Sequence, residues 1–256
     1  MSLIRALHAE TLKMKRTIAL KMGVLSPAIV VLLILFIASQ APYSMLHRNG
    51  IKGEWTELAR LNLRLWAFLM MPLYVTLQTA LIAGVDHSEN QWKSLLARPV
   101  PRWTLYVSKL IVVSAMTAAS TTLLACGILI DGAVLPHLNA ELVFGSPVPW
   151  AAIVLESSQV AGLMFLGLTI QHWVSLRWRA FSVATGTGIV ATVMAFLATA
   201  AGRQMGGWPQ YFPWSLPMLV LARQPQNLEA ILAISSALAL TVAVAGCFDF
   251  CRREVQ

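Results

Sequence analysis

The polar stretch 86–109, DHSENQWKSLLARPVPRWTLYVSK, lies between two long apolar runs and holds the side chains whose spacing says most about function. Ser88 and Gln91 have the spacing of a capping box, in which side chains satisfy the free backbone N–H groups at the start of a helix. A helix is therefore predicted to begin near Glu89. Pro99 and Pro101 end it, because proline lacks the amide donor and clashes with the preceding turn.

This predicted helix, residues 89–97, is amphipathic. Trp92, Leu95 and Leu96 share one face, at spacings of three and four residues. Lys93 lies toward the C-terminal end, where the helix dipole favours cations. Nothing within the loop buries the apolar face, so the pattern predicts either a docking surface for a partner or a helix that lies on the membrane surface.

Glu156 is the most informative charge within an apolar run. It follows Trp150 by six residues, which places it roughly 9 Å along the helix axis and in the outer half of the membrane. If the chain forms a path across the membrane, Glu156 could face that path and meet a cationic peptide. Otherwise it is an interfacial carboxylate bonded to neighbouring helices. Gln78 and Thr79, in the second apolar run, are weaker candidates for residues that line the pathway.

The other reactive side chains form no recognisable constellation. The three cysteines lack the spacing of a disulfide framework or a zinc site, and the five histidines are scattered through different loops and ends, so no metal site is expected. An intramembrane enzyme needs paired catalytic groups at membrane depth. The predicted spans hold one carboxylate and no histidine, which disfavours that class.

Composition places these residues in an integral membrane protein. Hydrophobic residues make up 57% of the 256 positions and charged residues only 12%, whereas soluble domains carry about 25% charged residues. A net charge of +8 would suggest nucleic acid as the partner of a soluble protein. Basic residues that flank membrane spans and set their orientation explain the charge better, so we expect no nucleic-acid partner.

The apolar runs predict an all-α, polytopic fold in a single transmembrane domain, residues 1–256. Residues 1–21 are predicted to form an amphipathic helix on the membrane surface, and its apolar stripe consists of Ile4, Leu7, Thr11, Met14 and Ile18. Six spans follow, at about 22–46, 65–85, 110–130, 150–171, 180–202 and 230–248.

Breaks in these runs predict the connections between spans. Pro72 predicts a kink in the second span. The segment 131–149 is predicted to be a loop, because Asp131 is followed by glycines and prolines. The longer segment 203–227 contains an apolar stretch too short to cross, so this loop is predicted to dip into the membrane and return.

The basic residues predict the orientation of the chain. Thirteen of the 19 lysines and arginines lie on segments that share a side with the N-terminus, and six lie on the other side. Positive charge accumulates on the cytoplasmic side of membrane proteins. Both termini and the predicted helix 89–97 are therefore expected to be cytoplasmic.

Several stretches together resemble the permease subunits of type-2 ABC exporters, and among these the bacitracin- and lantibiotic-immunity-like permeases. The stretch that resembles their intracellular coupling region consists of Glu89, Asn90, Gln91, Trp92, Lys93, Leu95, Leu96, Pro99, Arg102 and Lys109. Agreement elsewhere comes from Glu10, Lys13 and Arg16 on the N-terminal helix, from the turn SLRW at 175–178, and from the outer loop FPWSLP at 212–217. The resemblance covers nearly the whole chain.

The resemblance implies a six-helix half-transporter with an N-terminal elbow helix. Two permease chains, identical or homologous, would pair around a pathway, and two ATPase subunits carrying ATP and Mg would dock below. The chain has no G-x-x-x-x-G-K-[ST], so we expect it to be no enzyme and to bind no cofactor itself. Residues 89–97 are implied to be the coupling helix, with further ATPase contacts from Glu10, Arg16, Arg102 and Arg177.

The substrate implied by this resemblance is an amphipathic antibiotic, a peptide or a lipid-like molecule. The transporter would export it, or extract it from the bacterial plasma membrane, and so confer antibiotic resistance or lantibiotic immunity. A non-transporting scaffold or sensor subunit is the alternative that the residues exclude least well.

Overall fold

Within the residues that the computed structural model describes, every regular element is a helix, and six helices are long and apolar enough to cross a membrane. The described residues are 3–15, 17–40, 55–88, 101–140, 142, 144, 147–201, 211–221 and 227–252. The predicted all-α fold, with six spans preceded by a separate N-terminal helix, is confirmed.

The helices are numbered in chain order. They are α1 (Leu3–Met14), α2 (Ile18–Gln40), α3 (Trp55–Leu65), α4 (Met71–Ser88), α5 (Arg102–Leu138), α6 (Trp150–Arg177), α7 (Phe181–Ala201) and α8 (Leu228–Arg252). A π-helical turn, Trp66–Met70, joins α3 to α4, and together they form the second span. A 3-10 helix, Leu216–Leu221, precedes α8.

The second span begins about ten residues earlier than the apolar run predicts, because α3 is an amphipathic helix with buried Trp55, Leu58 and Leu63. Its passage into α4 is through the π-helical turn, in which the N–H of Met71 donates to the carbonyl of Trp66. Pro72 follows at once and has no N–H to donate. The irregularity predicted at Pro72 thus takes the form of a widened turn on its N-terminal side.

The third span, α5, is the longest helix and corrects the predicted boundary at residue 130. Its 37 residues extend roughly 55 Å, well beyond a hydrocarbon core of about 30 Å. Asp131, which was predicted to start a loop, is fully buried inside the helix. Gly132 follows it and lets the Trp55 ring approach, since a Cβ atom there would lie 2.1 Å from the ring. Pro136 falls in the last turn, which ends at Leu138.

The core of the bundle lies where α2, α4 and α5 meet. The Ser120 hydroxyl lies 2.7 Å from the Gly23 carbonyl and 3.0 Å from the Tyr74 hydroxyl, which joins the three helices. Gly127 of α5 packs directly on Val31, and a Cβ atom at this glycine would lie 2.3 Å from a Val31 methyl group. Small residues at helix contacts allow such close packing in membranes, as the Ser, Thr and Ala content of this span suggests.

The described part of the loop before α8, residues 211–221, folds back onto the bundle. Trp214 and Leu216 are buried, and the 3-10 helix packs mainly against α6. Phe212 stacks on Trp214, with ring centroids 5.6 Å apart. Protein side chains therefore cover much of the apolar surface of this loop.

Candidate functional site

One end of the bundle brings together Glu10, Arg102 and Arg177, three of the residues predicted to contact an ATPase. It is called the N-terminal face, and it is formed by α1, the first turns of α5 and the last turns of α4, α6 and α8. In sequence, residues 89–97, the predicted coupling helix, lie between α4 and α5, whose adjacent ends form part of this face. The predicted contacts that lie outside the described residues are Glu89, Asn90, Gln91, Trp92, Lys93, Leu95, Leu96 and Arg16.

A buried ion pair joins α1 to α5 at the N-terminal face. The Nζ atom of Lys109 lies 2.8 Å from Oε2 of Glu10, and the two side chains are 2% and 4% exposed. Lys13 approaches the other carboxylate oxygen, with its Nζ atom 3.0 Å from Oε1. Both oxygens of Glu10 therefore accept hydrogen bonds from ammonium groups, and the carboxylate bridges two helices that are far apart in sequence.

This ion pair sets how α1 lies against the bundle. The buried residues of α1 are Ala6, Glu10 and Met14, spaced at four residues, whereas Ile4 and Ile18 are exposed. Of the predicted apolar stripe, Met14 is buried and Leu7 half-buried against the bundle, while Ile4, Thr11 and Ile18 are exposed on the outside. A lysine buried in a membrane span needs a counterion, so α1 turns Glu10 toward the bundle. Contact of the exposed part of the stripe with the membrane surface stays a prediction.

Two of the arginines predicted to contact an ATPase, Arg102 and Arg177, are held by α8. Arg177, at the end of α6, lies 2.6 Å from Oδ1 of Asp249, and the indole N–H of Trp173 donates to Oδ2 of the same carboxylate at 2.9 Å. Arg102 donates to the carbonyl of Cys251 at 3.3 Å. The Arg177 side chain is nevertheless 45% exposed, so its outer side remains accessible to a partner.

A histidine also lies within a span, which corrects the prediction that the spans contain none. His172 in α6 is 1% exposed, and its Nε2 atom lies 3.3 Å from the carbonyl of Tyr106 in α5. The span helices also hold carboxylates other than Glu156, and these are Glu57, Asp131, Glu229 and Asp249. Tyr106 and Asp131 are 25 residues apart on α5, or roughly 37 Å, so His172 and Asp131 lie at opposite ends and form no catalytic pair.

Gln78 and Thr79 lie inside the bundle toward the N-terminal face. Gln78 is fully buried, and its Nε2 atom lies 2.9 Å from the sulfur of Met116. Thr79 donates to the carbonyl of Val75 and lies 3.1 Å from the Ser175 hydroxyl. These contacts place both predicted pathway residues at helix-to-helix junctions.

The opposite end of the bundle holds a looser set of charges. Glu156 lies 3.8 Å from Arg60 of α3, and the two side chains are 23% and 41% exposed. Asn62 donates to the carbonyl of Leu58 at 3.1 Å and to Oδ2 of Asp131 at 3.2 Å. Among the described residues, Oδ1 of Asn62 and Oδ1 of Asp131 have no hydrogen-bond partner although both are buried.

A cavity of about 350 Å³ lies between α5 and α6, near this opposite end. Its walls carry hydroxyl groups from Thr121, Thr122, Ser157 and Ser158, set among small apolar side chains. The Ser157 hydroxyl is buried and has no hydrogen-bond partner within the described residues. Glu156 is adjacent in sequence, but its contact is with Arg60 and it does not line this cavity.

Some of these residues escaped prediction for identifiable reasons. Lys109 belongs to the coupling-region pattern, but a buried role is not visible because its partner lies 99 residues earlier. Asp131 was assigned to a loop on account of the glycine and proline that follow it. In the part of the chain that the structure describes, no group of three or more His, Cys, Asp or Glu residues could hold a metal ion.

Comparison with known families gives one clear result. Residues 6–198, well over half of the chain, match the family model described as ABC-2 family transporter protein. No curated protein and no solved structure gives a significant match.

Proposed function

Because the chain belongs to the ABC-2 family of transporter proteins, we propose that it is the membrane subunit of an ATP-driven exporter of amphipathic antibiotics, peptides or lipid-like molecules. The family makes it a multi-pass permease of the ABC transporter class that works with ATPase partners. Membrane subunits of this family are generally not catalytic. The proposal adds a substrate class and a mechanism of coupling.

The buried Glu10–Lys109 pair is the observation that carries the coupling mechanism. It ties α1 to α5 seven residues after α5 begins, directly behind the segment 89–97. Arg102 ties the same end of α5 to α8 through the carbonyl of Cys251. A displacement of residues 89–97 by an ATPase would thus act on α1, α5 and α8 together.

In this proposal the N-terminal face lies in the cytoplasm of a bacterial cell. The excess of lysine and arginine on the segments of this face supports that orientation. Trp92, Leu95 and Leu96 would fill a groove on the ATPase, while Glu89 and Lys93 would fix the register at its rim. ATP and Mg would be bound by the two ATPase subunits, and closure of these subunits would produce alternating access.

The substrate would enter from the opposite half of the membrane. The cavity between α5 and α6 offers hydroxyl groups beside apolar walls, a combination that suits an amphipathic molecule. Two copies of the permease, or two homologous chains, would enclose the complete pathway. Export and extraction from the outer leaflet both remain compatible with this arrangement.

The decisive experiment changes the apolar face of the predicted coupling helix. Trp92→Ala combined with Leu96→Ala should leave the protein inserted in the membrane but abolish transport and the stimulation of ATP hydrolysis by substrate. Trp150→Ala combined with Leu138→Ala is the matched control, because it removes the same residue types from exposed positions at the opposite end. Transport and ATPase association should survive in the control.

Two results would contradict the proposal. Full transport and retained ATPase association in the Trp92 and Leu96 double variant would remove the coupling role. An epitope tag within residues 89–97 that is accessible on the outside of intact cells would reverse the orientation.

Glu156→Gln tests the substrate side separately. We expect this variant to assemble with its ATPase but to change which substrates are tolerated, because a negative charge that meets a cationic substrate is lost. The measurement is resistance or export across a panel of peptides that differ in charge. An unchanged panel would leave Glu156 with a packing role toward Arg60.

A further inference from the structure

An apolar groove lies between α5 and α8, on the membrane-facing side of the bundle next to the N-terminal face. Its volume is about 400 Å³, and its wall is almost entirely apolar. The side chains that shape it include Trp103, Val107, Leu110, Leu240, Val244 and Phe248. Leu240, Val244 and Phe248 are 60%, 70% and 55% exposed, so the groove is open along its α8 side to whatever surrounds the helices.

The groove has the length of one membrane leaflet. It runs along α8 from Cys251 to Leu240, which at 1.5 Å per residue is roughly 16 Å. Half of a hydrocarbon core of about 30 Å is nearly the same distance. Trp103, half exposed at the start of α5, is typical of the residues that mark the boundary between lipid tails and headgroups.

Positive charge gathers at the end of the groove that lies at this boundary. The guanidinium carbon of Arg252 lies 3.8 Å from the centroid of the Phe248 ring, which is part of the groove wall. Arg102 donates to the carbonyl of Cys251, another wall residue. The neighbouring carboxylate, Asp249, is engaged by Arg177 and Trp173, so it does not neutralise the mouth of the groove.

We infer that this groove binds an anionic phospholipid from the leaflet at the N-terminal face. One acyl chain lies between α5 and α8, and the phosphate lies beside Arg252 and Arg102. Basic residues at the mouth of an apolar groove between membrane helices are the arrangement that binds anionic lipid headgroups. This site is separate from the cavity between α5 and α6 and does not depend on the transported substrate.

The test uses the purified full-length chain in mild detergent and native mass spectrometry. Phosphatidylglycerol and phosphatidylcholine with identical acyl chains are added at equal concentration, and the lipid retained by each protein molecule is counted. The wild-type protein should retain phosphatidylglycerol in preference. Arg252→Gln should lower that preference about fivefold, the effect of one basic residue at a membrane surface. Val244→Trp should displace both lipids by filling the groove.

Matched controls separate the site from general effects. Arg179→Gln removes a different arginine near the same face, and Val193→Trp enlarges an exposed valine on α7, so neither should change retention. Arg252 and Val244 are exposed, and gel filtration of each variant will show that it remains folded. Unchanged retention in either Arg252→Gln or Val244→Trp would overturn the assignment.

Two other occupants give distinguishable results. The first alternative is a simple anion site, which is tested by competition with glycerol phosphate, a molecule without acyl chains. If glycerol phosphate displaces phosphatidylglycerol as well as the whole lipid does, the acyl-chain assignment is overturned. A second copy of the chain in the groove would be detected by oxidative crosslinking through Cys247 in a Cys126→Ser background. Crosslinking of two chains at lipid concentrations that should fill the groove would also overturn the lipid assignment.

Discussion

Buried carboxylates lie at both ends of this bundle, and their surroundings differ sharply. Glu10, at the N-terminal face, has an ammonium group on each of its two oxygens, at 2.8 and 3.0 Å. Asp131, at the opposite end, has one amide donor on Oδ2 and, among the described residues, no hydrogen-bond partner on Oδ1. The first site has its charge compensated by neighbours in the chain, and the second does not.

The difference in charge compensation separates the end where the helices are held together from the end where they can rearrange. Separating α1 from α5 would break the buried ion pair between Glu10 and Lys109, so these helices are expected to move as one body. Separating α3 from α5 at Asn62 and Asp131 would break a hydrogen bond of 3.2 Å. Oδ1 of each side chain already lacks a donor among the described residues. The proposed coupling, in which an ATPase acts on one end and the pathway opens at the other, would use this asymmetry.

The largest effect should come from removing the cation at the compensated site. Lys109→Met keeps the length of the side chain but leaves Glu10 buried with Lys13 as its remaining partner. Breaking a buried ion pair in this way costs about 3–5 kcal/mol. The measurement is the apparent free energy of unfolding in a denaturing-detergent titration of the purified chain.

A double variant checks that this loss belongs to the pair. Adding Glu10→Gln to Lys109→Met removes the stranded charge and should recover part of the stability, so that the two changes are not additive. Losses that simply add would mean that each residue stabilises the fold through other contacts.

A matched pair of acid-to-amide changes gives the sharpest comparison. Glu10→Gln should cost about 2–3 kcal/mol, because a charge-assisted bond is lost and Lys109 stays buried beside a neutral group. Asp131→Asn should cost less than about 1 kcal/mol, because the new N–H can meet an oxygen that lacks a donor. Equal losses in the two variants, measured by the same titration, would contradict the contrast between the ends.

The smallest effect is expected at the partly exposed pair. Arg60→Gln breaks a contact of 3.8 Å to Glu156, with both side chains reachable by solvent. Such pairs contribute less than about 1 kcal/mol. The loss should shrink further in high salt, while the loss in Lys109→Met should not. A large, salt-independent loss in Arg60→Gln would show that the opposite end is also held by its charges.

The number and order of the helices could be predicted because uncharged runs of this length have few alternatives in a membrane. The helix predicted at 89–97 is based on local signals as well, namely a helix start, a helix stop and an apolar face, and it stays a prediction because these residues lie outside the described ranges. Its position between α4 and α5 follows from the described helices on either side, although its own contacts stay a prediction. Glu10 was chosen as a candidate from its place on the N-terminal helix.

What could not be predicted depends on contacts between distant parts of the chain. The partner of Glu10 is 99 residues away, so the side of α1 that packs on the bundle, through Ala6, Glu10 and Met14, could not be identified from the sequence. The helix through Asp131 and Gly132 persists because Asn62 and Trp55 of α3 cover these two residues. A turn-like local sequence was outweighed by the packing of another helix.

The unbroken course of α5 gives the molecule a lever. Lys109 is bound to α1 through Glu10, so it is the point about which α5 would pivot. Leu138 lies 29 residues beyond it, roughly 43 Å along the helix axis. A swing of only 5° about that point carries the far tip through about 4 Å, the width of a methyl group. In the proposed coupling, a small tilt of α5 at the N-terminal face would therefore become a larger displacement on the other side of the membrane.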